Sequence, residues 1–310
     1  MRWTRTYGPI TLEGVRYPAP ALAVGSMLSV QLGAALSTHL FDALSPAGSA
    51  WLRITVAAVV LLAVSRPRMG RRALLGAVLL GAATAVMTLA FVQALDRLPL
   101  GTVVAVEFLG PLGVAAVRAR RPAAAVWPAL ALLGVLGLTE PWAGAVDPVG
   151  LAWAAAAAAG WAGYLVLTQR VGAAVPGLGG LAASLGVAAL LAAPVAAAPA
   201  LSGLTWPLLA QGVGLAVLVP LLPYVLELAA LRRMTLAAFG TLMALEPAIA
   251  TLLGLALLAQ APNPLQAAGV ALVVLAGIGA QRTARTVAAS SAGSVDGRSQ
   301  TNPRQTYAAA

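Results

Sequence analysis

The chain has 310 residues, of which 60% are hydrophobic and 9% charged, and its formal net charge is +10. A soluble domain carries roughly 25% charged residues, so lipid must be the solvent for much of this chain. With one His and no Cys, thiol catalysis, disulfides and Cys-ligated metals are excluded.

Residues 1–19 form a polar lead. Ten apolar runs follow, at 20–38, 46–65, 73–94, 99–117, 123–139, 149–169, 178–198, 206–230, 235–259 and 264–281. Each is near the roughly 20 residues that cross a bilayer as a helix, the fifth and tenth being short. The first run is longer than the apolar core of a secretory leader and reads as a retained span. It contains Ser26, Ser29 and Gln31 and ends at His39, an interfacial side chain. The third contains Gln93 and the sixth Tyr164. Ala154–Gly160 in the sixth run reads as a small-residue packing face. Trp51, Trp127, Trp142 and Trp206 fall near expected interfaces and read as belt anchors. Residues 282–310, rich in Ser, Thr, Arg and Gly, read as a flexible tail.

All 19 basic residues are arginine. They cluster between apolar runs, as in Arg66, Arg68, Arg71 and Arg72, or Arg118, Arg120 and Arg121. That pattern is a topology signal and not a nucleic-acid surface. One alternate set of loops and ends holds fifteen arginines within reach of the spans, and the other holds Arg97 alone. Positive residues stay inside, so both termini are expected in the cytoplasm, with an even number of spans in the cytoplasmic (inner) membrane.

An internal repeat supports the count. Residues 94–112 align without gaps to 230–248, matching Ala94, Leu95, Arg97, Leu100 and Pro111 to Ala230, Leu231, Arg233, Leu236 and Pro247. The first copy joins the third and fourth spans and the second joins the eighth and ninth. Five spans per half is an odd number, so the halves must be inverted, an architecture of secondary transporters. The expected fold is an all-α integral membrane protein of ten transmembrane helices in two inverted five-helix repeats, 20–139 and 149–281, joined by an external linker at 140–148.

Ionisable residues inside spans are costly and read as functional. There are four: Arg53, Glu107, Glu227 and Glu246. Arg53 and Glu107 both lie roughly 10–12 Å below the external edge at 1.5 Å per residue. They either pair with each other or clamp a substrate, Arg53 on a carboxylate and Glu107 on an ammonium. Glu246 is nearest mid-membrane and reads as cavity-lining. Proline frees the carbonyl four residues back. Pro111 therefore frees the carbonyl of Glu107, and Pro247 that of Met243. Glu227, near the cytoplasmic end of its span, reads as an interfacial partner of Arg232 and Arg233. Gln31, Gln93 and Tyr164 are neutral polar candidates. No phosphate loop, metal-ligand set or nucleophile–base pair is present in the sequence, so no cofactor is expected. An intramembrane enzyme has little to build on, and a non-transporting scaffold leaves Glu246 unexplained.

The stretches RLPLGTVVAVEFLGPLGVAAVRARRP (97–122) and PYVLELAALRRMTLAAFGTLMALEPAIA (223–250) resemble the third–fourth and eighth–ninth helices of the threonine/homoserine exporter family. That family is in the EamA-type branch of the drug/metabolite transporter superfamily. SVQLGAALSTHLF (29–41) and WLRITVAAVVLLA (51–63) resemble its first two helices. The resemblance implies export of small amino acids or related metabolites coupled to protons. It carries Arg53, Glu107, Glu227 and Glu246 over as its polar positions. Drug efflux is the alternative within the superfamily. Drug sites favour aromatic walls with a carboxylate, and only 5% of this chain is aromatic.

The arginine bias has a direct test in a chain without native cysteine. Single cysteines at Gly8, Met69, Gly144 and Ser290 are treated with an impermeant thiol reagent in intact cells. Only position 144 is expected to label, and labelling at 69 refutes the topology.

Overall fold

The structure is a computed structural model that describes residues 17–65, 69–119, 125–143, 147–174, 178–231, 233–234 and 236–299. Among the described residues the ordered elements are helices, and no strand occurs. Nine are long and apolar enough to cross a membrane. They are α1 (Ala19–Leu44), α2 (Pro46–Ser65), α3 (Arg71–Leu95), α4 (Leu100–Val117), α6 (Pro148–Val171), α7 (Gly179–Ser202), α8 (Trp206–Glu227), α9 (Phe239–Leu258) and α10 (Pro264–Thr283). A shorter apolar helix, α5 (Val126–Thr139), stands where the fifth span is expected and completes ten. The helix that begins as α10 continues to Ser299, well past the expected boundary at 281.

The packing obeys an exchange of halves. Matching α1–α5 to α6–α10 in order, α2 packs on α7, α4 on α9 and α5 on α10, each against its own counterpart. Two further sets of contacts come in exchanged pairs. Helix α1 packs on α8 as α6 packs on α3, and α1 packs on α9 as α6 packs on α4. This is the contact pattern that two halves related by an axis between them must show.

Small residues permit these approaches, because apolar side chains gain nothing by leaving apolar lipid and association rests on close packing. Ala154, Ala157, Ala158 and Gly160 are buried while Ala152, Ala155 and Ala159 are exposed. The buried stripe lies on α3, where a Cβ at Gly160 would meet the Met87 backbone at 2.8 Å. Between α5 and α10 the approach is mutual: a Cβ at Gly134 would meet the Gly269 carbonyl at 2.6 Å, and one at Gly269 the Gly134 carbonyl at 2.5 Å.

Three helices are interrupted. Helix α4 breaks at Phe108, between segments Leu100–Glu107 and Leu109–Ala119. Helix α9 breaks between Leu236–Met243 and Glu246–Leu258. In both, the first segment ends on the residue whose carbonyl the downstream proline leaves without a donor, Glu107 before Pro111 and Met243 before Pro247. The third break is in α8, where Val217–Leu221 forms a wide turn and Val219 leaves helical geometry at φ −149° and ψ 112°.

On the face expected to be external, Arg97 donates to Asp147 at 2.9 Å, tying the α3–α4 turn to the start of α6. Asp147 also accepts from the backbone N–H of Val149 and Gly150, capping that helix. The Arg97 guanidinium, with these backbone donors, holds the Asp147 carboxyl below the usual carboxylate range.

Two tryptophans leave the belt. Trp51 donates to the Ala189 carbonyl of α7 and Trp127 to the Thr283 hydroxyl of α10, both at 2.9 Å. Trp142 and Trp206 are exposed, at 66% and 83%, as anchors should be.

Gly134→Val puts a branched side chain against a backbone carbonyl that cannot swing away. Overpacking of this kind costs about 1–3 kcal/mol. The variant should melt several degrees lower in detergent than Leu133→Val, which changes an exposed site. Equal melting temperatures would disprove this account of the α5–α10 contact.

Candidate functional site

The polar residues of the spans lie in one layer, located by the apolar clusters around them. Ala34, Ala35, Ala50, Val92, Leu95, Leu100, Val104 and Ala250 pack together toward the expected external side. They bring α1, α2, α3, α4 and α9 to one point. Residues three or four apart share a helix face. Gln31 is one turn from Ala34 and Ala35, Arg53 from Ala50, Glu107 from Val104, and Glu246 from Ala250. In all four helices that turn runs toward the expected cytoplasmic side. Four polar side chains from four helices therefore sit beneath one apolar plug. A second cluster lies on the other side of the layer, with Leu22, Ala23 and Met27 of α1, Ala229, Ala230 and Phe239 buried in it. Along both α1 and α9 the polar residue falls between the two clusters.

Arg53 is 5% exposed and Glu246 6%. Glu107 is half-buried. No ion pair joins Arg53 to Glu107, and no protein group among the described residues hydrogen-bonds Arg53, Glu107 or Glu246. Of the two arrangements the sequence allows for Arg53 and Glu107, the structure does not form the pair. Glu246 is close enough to Glu107 and Glu227 to feel both charges. Gln31 is 3% exposed, and its amide oxygen is buried without a partner.

The break in α8 is satisfied by α1. Ser29 donates to the Leu218 carbonyl at 2.9 Å. Ser26 donates to a carboxylate oxygen of Glu227 at 2.9 Å, with the Pro223 carbonyl 3.4 Å away. This corrects the expected partner of Glu227, which is a hydroxyl across the helix pair. Arg233 instead donates to the Tyr17 carbonyl at 3.3 Å, and Arg232 lies outside the described residues. The reason is reach: Ser26 faces the turn that carries Glu227, whereas Arg233 lies beyond the helix end. Tyr164, on α6, is half-buried and within electrostatic reach of Glu227 and Tyr224. Gln93 is half-buried next to Val92 and turned about 100° around α3 from it. The sequence reading misses the α8 break, although Pro220 and Pro223 signal it.

A cavity of about 360 Å³ opens elsewhere, lined by Pro99, Thr102, Thr251, Gln260 and Gln266 among others. None of the polar-layer residues lines it. Among the described residues no group of His, Asp and Glu could hold a metal ion.

A layer of unpaired charges held between two seals, beside three helix breaks, is what a carrier of small polar molecules requires. Comparison with known proteins agrees. Residues 148–279 match the EamA-like transporter family. The chain is 35% identical over 270 residues to the threonine/homoserine exporter RhtA of Escherichia coli K12, spanning 84% of this chain and 90% of that protein. It is 35% identical over 271 residues to the RhtA of Salmonella typhimurium LT2, with the same coverage.

The chain belongs to the EamA-like transporter family.

A solved crystal structure aligns over 87% of this chain and 98% of that one, with a TM-score of 0.58 at 23% identity, a likeness of fold alone. Membership in the EamA-like family agrees with the architecture of a multi-pass membrane protein.

If Arg53 and Glu107 act separately, exchanging their charges cannot restore a lost pair. Arg53→Glu with Glu107→Arg should therefore leave transport abolished even where the protein is made at wild-type yield. Arg53→Met alone should keep its yield. It should weaken substrate binding roughly 10–100-fold, the worth of a charge-assisted hydrogen bond. Recovery of transport in the double variant would show that the two residues pair.

Proposed function

We propose that the protein is a secondary active exporter of small amino acids or closely related zwitterionic metabolites, threonine and homoserine first among them, driven by the proton gradient across the cytoplasmic membrane. The observation that carries this reading is the unpartnered Arg53 guanidinium in a layer that also holds Glu107 and Glu246. A buried arginine without a carboxylate is costly unless an anion joins it. The carboxylate of an amino acid is such an anion, and guanidinium binds carboxylates through two parallel hydrogen bonds. The same molecule brings an ammonium, for which Glu107 is the partner at similar depth. The named activity of the RhtA relatives supports the substrate class.

Glu246 is the proposed proton carrier. It lies nearest mid-membrane, next to a helix break, and the charges of Glu107 and Glu227 reach it. A proton on Glu246 removes negative charge from the layer and so weakens the hold on an ammonium. By linkage, a bound ammonium weakens the hold on that proton by the same factor. Substrate and proton therefore favour alternate occupancy, which is the requirement for exchange. Each proton moving down ~100 mV supplies about 2.3 kcal/mol, enough for roughly a fifty-fold gradient of substrate. With both termini in the cytoplasm, as the arginines favour, the apolar plug around Leu100 and Val104 would seal the external side.

Glu246→Gln separates carriage from coupling. In proteoliposomes it should lose uphill export driven by a pH gradient and keep substrate exchange at equal pH. Uphill export at the wild-type rate would remove Glu246 from this role and leave Glu107 as the carrier.

A further inference from the structure

The clamp of Arg53 and Glu107 explains how an amino acid's two charged groups are held and leaves its side chain unread. We propose that Gln31 reads a hydroxyl on that side chain, making it the residue that selects hydroxylated amino acids over apolar ones of the same shape. The inference rests on the transport reading above and adds a specificity element to it.

Three observations point to Gln31. It shares the layer with Arg53, Glu107 and Glu246, one turn from Ala34 and Ala35 of the plug. The residue is 3% exposed, and its amide oxygen is buried without a hydrogen-bond partner. The other neutral polar side chains on this stretch of α1 are committed, Ser29 to Leu218 and Ser26 to Glu227. A buried amide left unpaired is expensive, so a site that keeps one gains when a ligand completes it. Thr55 also holds a buried hydroxyl without a partner, and the Thr168 hydroxyl lies beside that of Tyr164. Thr55, however, is two residues from Arg53, which turns it to the opposite side of α2, and Thr168 is one turn from Tyr164, on α6.

The chemistry fits a hydroxyl. An amide offers both an acceptor and donors, and a hydroxyl is both donor and acceptor, so either orientation of the Gln31 amide completes a bond. An apolar isostere would leave the amide unpaired while the charged ends still bind. Sites built to bond a hydroxyl reject the analogue that lacks it far better than apolar pockets reject a missing methylene. Threonine and valine differ by this exchange at one position.

The test is counterflow in proteoliposomes with threonine, valine and alanine, in the wild type, Gln31→Met and Gln31→Asn. Wild type should prefer threonine to valine by about tenfold or more. Gln31→Met, close in shape but without an amide, should bring threonine to within about twofold of valine. A wild type that transports threonine and valine equally overturns the role of Gln31 and leaves the transport reading standing. A threonine preference that survives in Gln31→Met also overturns it. Loss of alanine transport in both variants shows that Gln31 serves the fold or the clamp, and overturns it as well. A wild type that moves none of the three removes the transport reading together with this inference.

Discussion

Inside a bilayer every backbone N–H and C=O must find a partner within the protein, and this constraint decides where the chain can be irregular. An interrupted helix exposes carbonyls that lipid cannot satisfy. The breaks at Phe108 in α4, Val219 in α8 and Ala244–Leu245 in α9 are therefore possible only where protein or a polar space covers them. In α8 the cover is explicit, since Ser29 of α1 supplies the missing donor to Leu218. The same covered places tolerate charge, because they are already withdrawn from lipid. Broken backbone and buried charge thus share a location for one reason, and the polar layer is where the constraint allows it.

The exchange of halves sets the architecture but not the chemistry. The alignment at a fixed offset matches Pro111 to Pro247, and both prolines interrupt their helix in the same way. The charges do not follow it. Glu107 falls opposite Met243, and Glu246 opposite Gly110. A Cβ at Gly110 would run into the Ala158 carbonyl, so that position has no room for an acid. Met243 packs at the second apolar cluster. The two halves thus contribute equivalent breaks and inequivalent acids. Acids placed differently along the breaks can take different tasks, one toward a substrate ammonium and one toward a proton, which two symmetric sites could not divide.

Much of this was legible in the sequence, and the failures have a physical pattern. Hydropathy and arginine placement mark the spans, because lipid imposes composition on length. Pro111 and Pro247 mark two breaks, because a missing N–H acts on a carbonyl four residues away on the same helix. Whatever depends on a second helix was harder to read. Ser26 and Glu227 are 201 residues apart, and nothing local in either stretch announces their bond. Trp51 and Trp127 have belt composition at belt depth, yet each points at a neighbouring helix and finds a partner there. The choice between pairing and separation for Arg53 and Glu107 depended on side-chain direction, and depth alone could not supply it.

The charge of the layer bears on how it can be driven. Taken as ionised, Glu107, Glu227 and Glu246 contribute three negative charges and Arg53 one positive, a formal excess of two. A zwitterion adds a carboxylate and an ammonium together, so its arrival redistributes charge without cancelling the excess. Only a separate cation can do that. A proton needs no coordination shell and cancels charge on the carboxylate itself. Under the proposed alternate occupancy, the zwitterion leaves with no net charge of its own, and the returning proton is the charge that responds to the membrane potential.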